Sequence, residues 1–173
     1  MSWSRFRLPA LGLVLTLSLS GCGYTPLYGT ATRGPETLAA LSRVQIATVD
    51  APTADSLVGR DVRDTLLDQV NPNGEPDAPL QRLEIGLSES LGGLLVQPDA
   101  AITRYNYTLV AAYKLIDIQT GKVALQGQVI GVSAYNVVAS QYATVVARRD
   151  AQRRAAESVS NELSLRLALY FKK

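Results

Sequence analysis

The stretch "TRYNYTLVAAYKLID", residues 103–117, decides the fold together with its continuation "IQTGKVALQGQVIGVSAYN", residues 118–136. Apolar or aromatic residues alternate with other residues through most of the first segment, and this period of two indicates a β-strand with one buried face. Gly121 provides a turn, after which the alternation resumes from Val123. The pattern predicts a long antiparallel hairpin whose apolar face has to be covered by another element.

Three tyrosines, Tyr105, Tyr107 and Tyr113, lie on the apolar side of the first segment. Aromatic side chains pack well on the buried face of a strand, so these residues are expected to belong to the core. The alternative is a platform on which a ligand stacks.

The covering element is predicted to be a helix in the last segment, residues 140–173. Its apolar residues recur at spacings of three and four, which places them along one side of an α-helix. The predicted stripe consists of Val145, Gln152, Ala156, Val159, Leu163, Leu167 and Tyr170. Four arginines of the same segment fit either an ordinary solvated helix face or a site for an anionic lipid or phosphate. They are Arg148, Arg149, Arg153 and Arg154.

Upstream of the hairpin, strand and helix patterns follow one another. Residues 43–49 and 80–90 have a period of two and predict strands. Residues 50–70 predict an amphipathic helix with N-cap candidates between Asp50 and Asp55, because every fourth position from Val58 is apolar: Val58, Val62, Leu66 and Val70. Residues 91–103 contain two glycines and a proline, and we expect a loop that carries Leu94, Leu95 and Val96. The order strand, helix, three strands, helix predicts an α+β fold.

The N-terminus has the features of a lipoprotein signal peptide. Arg5 and Arg7 precede an apolar run that is too short to span a bilayer, and the run ends in "LSGC", residues 19–22. This is the pattern of a bacterial lipobox, in which Cys22 is acylated and becomes the first residue after cleavage. A plain signal peptide or a buried cysteine is the alternative. We therefore expect a signal peptide at residues 1–21, an extended lipidated tether at 22–42 and a single domain at 43–173.

The composition excludes several classes of function. The chain has no histidine, which rules out a Ser-His-Asp triad and imidazole ligands, and no phosphate-binding glycine motif occurs. Without Arg5 and Arg7 the 17 basic residues fall to 15 and equal the 15 acidic ones, so net charge gives no argument for nucleic-acid binding. We expect no enzyme activity, no metal and no cofactor apart from the covalent lipid on Cys22.

Several segments in this order resemble the LptE family of lipopolysaccharide-assembly lipoproteins. They are "CGYTPLYG" (22–29), the hairpin stretch, "SAYNVVASQYA" (133–143) and "ARRDAQRRAAESVSNELSLRLALYF" (147–171). The resemblance implies two helices packed on a four-stranded, mostly antiparallel sheet. It also implies a lipoprotein on the periplasmic side of the outer membrane. Its expected partners are the β-barrel translocon LptD, which the domain plugs and helps to assemble, and lipopolysaccharide.

The resemblance also suggests site residues. Cys22 corresponds to the acylation site, and Gly23 fits outer-membrane sorting because an aspartate there would favour retention at the inner membrane. Arg104, Arg148 and Arg149 are matched to basic positions that contact lipopolysaccharide. The apolar loop residues Leu94, Leu95 and Val96 are a hypothesis for contact with the barrel wall or acyl chains.

Two functions of other classes stay open at this point. One is a lipoprotein that binds or carries a small lipid or apolar ligand, with the hairpin face as the floor of its pocket. The other is an envelope hydrolase, which the absence of histidine disfavours.

Overall fold

The computed structural model describes residues 34–51, 57–94 and 104–172. In these residues the chain forms three helices and four strands. The helices are α1 (Pro35–Leu41), α2 (Leu57–Val70) and α3 (Gln141–Phe171). The strands are β1 (Val44–Asp50), β2 (Gln81–Leu94), β3 (Arg104–Asp117) and β4 (Val123–Asn136). The predicted order of strands and long helices is confirmed.

The four strands form one sheet in the order β1-β2-β3-β4. β1 runs parallel to β2, and the crossover between them contains α2. The other two pairs are antiparallel and in continuous register for most of their length, from Gln81 opposite Asp117 to Leu94 opposite Arg104 in the first. The sheet is therefore mixed but mostly antiparallel, as predicted.

One face of the sheet carries the core. In β3 the residues at odd positions from Tyr107 to Leu115 are buried, and Tyr105 is half-buried. Val58, Val62, Leu66 and Val70 of α2 are buried against the same cluster, as their spacing predicts. Tyr107 and Tyr113 are core residues, so the packing interpretation of the tyrosines is confirmed for both.

Small residues allow α3 to lie very close to β4. The buried side of α3 includes Ala151, Ala155, Ala156, Ser160 and Ser164 besides its larger residues. A Cβ atom on Gly131 of β4 would lie 2.5 Å from the carbonyl oxygen of Ala155 and 2.9 Å from a methyl of Val159. The helix backbone thus approaches the strand at a position where only glycine fits.

Two polar contacts fix α2 between β1 and α3. The side-chain amide of Asn71 donates to the carbonyl of Val44 at 2.8 Å, which ties the end of α2 to the start of β1. The hydroxyl of Ser160 donates to the carbonyl of Val62 at 3.2 Å, inside the α2–α3 contact. Both pairs are buried, so each satisfies groups that would otherwise lose hydrogen bonds to water.

The turn between β3 and β4 matches its sequence. Gly121 has φ of 67°, in the left-handed region that favours glycine. The carboxylate of Asp117 accepts from the backbone N–H and the hydroxyl of Thr120, both at 2.8 Å. These bonds stabilise the charged carboxylate and lower the pKa of Asp117.

The prediction of an extended tether at residues 22–42 is wrong for its last part. Residues 35–41 form α1, which begins with a proline and ends at Leu41, a fully buried core residue. Residues Gly34–Lys173 form one compact unit, so the domain begins before the predicted boundary at residue 43. The helix is too short to show an amphipathic period, and packing against α3 stabilises it.

The second strand is longer than its period indicates. Residues 91–94 were predicted to start a loop because of Gly92 and Gly93, but they pair with residues 104–107 and belong to β2. Glycine weakens a strand by only a fraction of the free energy that a complete ladder to β3 contributes, so the pairing prevails.

Gly131→Ala is expected to destabilise the domain by about 1–3 kcal/mol, since α3 must move away from β4 to admit the methyl group. Urea unfolding followed by circular dichroism measures this. Gly86→Ala in β2 is the matched control, because a Cβ there meets nothing within 4 Å. We expect the control to be neutral or slightly stabilising. Equal stabilities of the two variants would contradict the close packing.

Candidate functional site

One end of the domain collects most of the residues that the sequence analysis singled out. Leu94 at the end of β2 pairs with Arg104 at the start of β3, and Arg104 pairs with Asn136 at the end of β4. α3 begins at Gln141, shortly after β4. We call this the α3-start end of the domain.

Side-chain hydrogen bonds fix the entry into α3. The hydroxyl oxygen of Ser140 accepts from the N–H of Ala143 at 3.4 Å, as an N-cap serine does. The hydroxyl of Thr144 contacts both the N–H and the carbonyl of Val138 at 3.2 Å. The segment that leads from β4 into the helix is therefore held in one course, and it positions the first turns of α3.

These first turns expose apolar side chains. Tyr142 is 79% exposed, Val145 62%, and Val146 and Val138 each 49%. We call these four residues the apolar patch. The prediction that Val145 belongs to the buried stripe is wrong: contact of α3 with the core starts at Ala147 and Ala151, so the apolar side chains of the preceding turns stay outside the core.

Arg149 is held by an ion pair between the two long helices. Its guanidinium lies 2.8–2.9 Å from the carboxylate of Asp61 in α2. The pair is half-buried, with 35% of the arginine side chain and 23% of the aspartate side chain exposed. Nothing in the spacing of the sequence indicates this contact. The sequence places Arg149 and Asp61 on two predicted helices, but it does not show which residues of the two helices lie opposite each other.

Tyr107 of β3 lies close enough to Arg148 and Arg149 to feel their charges. Its side chain is fully buried, and Glu89 lies close to its hydroxyl without the geometry of a regular hydrogen bond. Burial raises the pKa of Tyr107, and the Glu89 carboxylate raises it further. The positive charges of Arg148 and Arg149 have the opposite effect and lower this pKa. Tyr107 therefore stays protonated and neutral at neutral pH.

The three arginines proposed for lipopolysaccharide contact do not form one cluster. Arg148 and Arg149 are adjacent on α3, on the helical side of the sheet. Arg104 occupies an even position of β3, where the odd positions face the helices, so it lies on the opposite side. Arg148 is exposed, has no ion pair within the described part of the chain and follows Val145 by one helical turn, so it adjoins the apolar patch.

The second face of the sheet bears none of the described helices. It is concave, with a volume of about 940 Å³ that opens to solvent. Its lining includes six polar or charged residues: Asp50, Arg82, Glu84, Lys114, Gln126 and Gln128. The apolar face of the hairpin, which an apolar-ligand pocket would need as its floor, is occupied by α2 and α3.

Some predicted site residues lie outside the described residues, namely Cys22, Leu95 and Val96, and Leu94 is placed only by its backbone in β2. Across residues 34–51, 57–94 and 104–172, no group of three or more Cys, His, Asp or Glu side chains is arranged to hold a metal ion. None of the helices in this part of the chain combines the length and apolar character that a membrane span requires.

Solved structures with the same fold come from several bacteria. A Caulobacter crescentus protein has a TM-score of 0.61 and 19% identity, over 79% of this chain and 96% of that one. Rare lipoprotein B from Shewanella oneidensis has a TM-score of 0.53 and 13% identity, over 72% and 94% of the two chains. A minor lipoprotein from Acinetobacter baumannii has a TM-score of 0.52 and 11% identity, over 74% of this chain and 92% of that one. At these identities the similarity shows a shared fold.

Sequence comparison gives the family directly. No curated protein sequence matches the chain significantly. The family profile described as LptE, lipopolysaccharide-assembly, matches residues 41–167, which is most of the chain and spans α2, the whole sheet and nearly all of α3. The chain therefore belongs to the LptE family of lipopolysaccharide-assembly proteins.

Proposed function

We propose that this protein is an outer-membrane lipoprotein, anchored through acylated Cys22, whose domain assembles with and plugs the β-barrel translocon LptD. In this role it assists the insertion of lipopolysaccharide into the outer leaflet and is not an enzyme. The observation that carries the proposal is the LptE family match over residues 41–167. The lipobox that ends at Cys22 supports attachment to a membrane, because two or more acyl chains give stable anchoring.

The open face of the sheet suits a plug. The lumen of a large outer-membrane barrel is polar and wet, so a domain inside it needs a surface that can hydrogen-bond without a large apolar patch. The concave face provides such a surface, with Arg82, Glu84, Lys114 and Gln126 exposed or half-buried on it. Equal numbers of basic and acidic residues after residue 21 also avoid strong repulsion by a lumen of either sign.

The plug role is tested by purifying the tagged full-length protein from outer membranes in mild detergent and identifying what accompanies it by mass spectrometry. We expect a stoichiometric large β-barrel. Recovery of the lipoprotein alone, or with only a small lipid, would contradict the proposal and favour a lipid carrier. Cys22→Ser is the control for anchoring, and it should leave the membrane fraction because it lacks the acyl chains.

We further propose that the α3-start end contacts lipopolysaccharide, with Arg148 as the cation for a phosphate group and the apolar patch beside acyl chains. An exposed arginine next to apolar side chains matches a ligand that carries phosphates and hydrocarbon together. Arg149 has a different role, since its ion pair with Asp61 positions α3 against α2. Arg104 lies across the sheet and contacts a separate part of the ligand. Contact of Leu94, Leu95 and Val96 with the barrel wall or acyl chains stays a prediction.

The two neighbouring arginines should therefore respond differently to substitution. Arg148→Ala is expected to weaken lipopolysaccharide binding about tenfold, which corresponds to about 1.4 kcal/mol, with no change in stability. Arg149→Ala is expected to lower the free energy of unfolding by about 1–2 kcal/mol, between the values for surface and buried pairs. Binding to immobilised lipopolysaccharide and urea unfolding measure these effects.

Arg43→Ala is the matched control, because Arg43 is exposed at the opposite end of the sheet. It should change neither the affinity for lipopolysaccharide nor the free energy of unfolding. If Arg148→Ala bound lipopolysaccharide as well as Arg43→Ala does, the proposed contact would be wrong.

A further inference from the structure

β4 forms an edge of the sheet, with β3 as its only neighbour among the described strands. It is 14 residues long. A long edge strand presents a row of backbone N–H and carbonyl groups that can pair with a strand of another molecule. Natural proteins therefore protect such edges, and on β4 arginine side chains provide the protection.

Two arginines of α3 reach over to the backbone of β4. Arg154 donates to the carbonyl oxygen of Ala134 at 2.9 Å and to the hydroxyl of Ser133 at 3.1 Å. Arg166 donates to the carbonyl oxygen of Gln128 at 2.9 Å. We call the two bonds to backbone carbonyls, from Arg154 to Ala134 and from Arg166 to Gln128, the edge caps.

Each cap is anchored in the same way. Arg154 pairs with Asp150 and Arg166 with Glu162, in both cases the acidic residue four positions earlier on α3. The twelve residue steps from Arg154 to Arg166 rise about 18 Å along the helix, and the six steps from Gln128 to Ala134 extend about 20 Å along β4. The helix thus repeats one carboxylate–arginine–carbonyl contact at the spacing that the strand requires.

The backbone between the caps is free to pair. Groups of an edge strand point alternately toward its neighbour and outward, so Ile130 and Val132 share the outward direction of Gln128 and Ala134. No described residue outside the sheet hydrogen-bonds to their backbone groups. Their side chains are 56% and 59% exposed on the open face. A short apolar section of edge is therefore available between two blocked carbonyls.

The arrangement is symmetric about Gly131. Gln128 and Ala134 each lie three residues from it, and Ile130 and Val132 each lie one residue from it. An antiparallel pairing of two β4 strands centred on Gly131 would set Ile130 opposite Val132 of the second copy and Gln128 opposite Ala134. Aliphatic pairs of this kind stabilise antiparallel strands. The outer hydrogen bonds of that pairing would use the same two carbonyls that the edge caps occupy.

We propose that the free edge of β4 is a strand-pairing site for a second copy of this chain, and that Arg154 and Arg166 keep it closed. The caps hold the protein as a monomer by occupying the carbonyls that a two-fold β4 pairing needs. Their removal exposes an edge whose apolar centre is self-complementary. This inference does not depend on the translocon proposal.

The test is the mass of the full chain in detergent, measured by light scattering after size-exclusion chromatography. We expect the wild-type protein to be a monomer and Arg154→Ala/Arg166→Ala to be a dimer. Arg153→Ala is the matched control and should stay monomeric, because Arg153 pairs with Asp150 and Glu157 and has no bond to the sheet. A folded double variant that stays monomeric would overturn the proposal.

A further variant locates the interface. Val132→Pro, added to the double variant, removes an outward N–H while leaving the bonds to β3 in place, since the N–H of Val132 points away from β3. We expect it to restore the monomer, and a dimer that persists would contradict pairing through this edge. If the double variant does not fold, the single variants Arg154→Ala and Arg166→Ala are measured in the same way. Monomers in both would count against the proposal.

Discussion

The contact between α3 and the apolar face of the β3–β4 hairpin is the constraint on which the rest of the structure depends. A long hairpin with Tyr107, Leu109 and Leu115 on one face is unstable in water until that face is covered. The covering helix must lie close to a twisted sheet along its whole length. Alanine and serine on the helix and Gly131 on the strand make this approach possible, and the larger residues Val159, Leu163 and Leu167 fill the remaining space.

The polar contacts of α3 depend on that close approach. Arg149 reaches Asp61 of α2, and Ser160 reaches the carbonyl of Val62, because the two helices share the same layer. Arg154 and Arg166 reach β4 on the other flank. One helix thus organises the core, the contact to α2 and the edge of the sheet. The opposite face of the sheet stays open, with Arg82, Glu84 and Lys114 on one part of it and the exposed Ile130 and Val132 near the edge of β4.

Much of this fold could be predicted from the sequence because its periods are long and clear. The alternation through residues 104–117 and the four-residue spacing from Val58 to Val70 are properties of single elements, and both predictions are confirmed. The failures concern elements that tertiary contacts decide. The end of β2 contains two glycines and is a strand only because β3 pairs with it, and α1 is a helix of two turns whose Leu41 packs into the core.

The candidate site was harder to predict than the fold. Spacing places Arg148 and Arg149 side by side on a helix, but only the position of α2 shows that one of them is paired and the other is exposed. The exposure of Val145 has the same origin, since the periodicity of a helix does not show where its packing partner ends. The two arginine contacts to β4 likewise depend on the register between a helix and a strand that are adjacent in sequence but antiparallel in space.

In the proposed complex, the open face of the sheet around Lys114 and Gln126 lies against the inside of the LptD barrel. Photo-crosslinking in living cells tests it most directly, with the crosslinker introduced at Lys114 or at Gln126, both exposed on this face. We expect a covalent adduct with LptD from both positions. Adducts with other proteins only, or no adduct from a protein that is folded and membrane-bound, would contradict it.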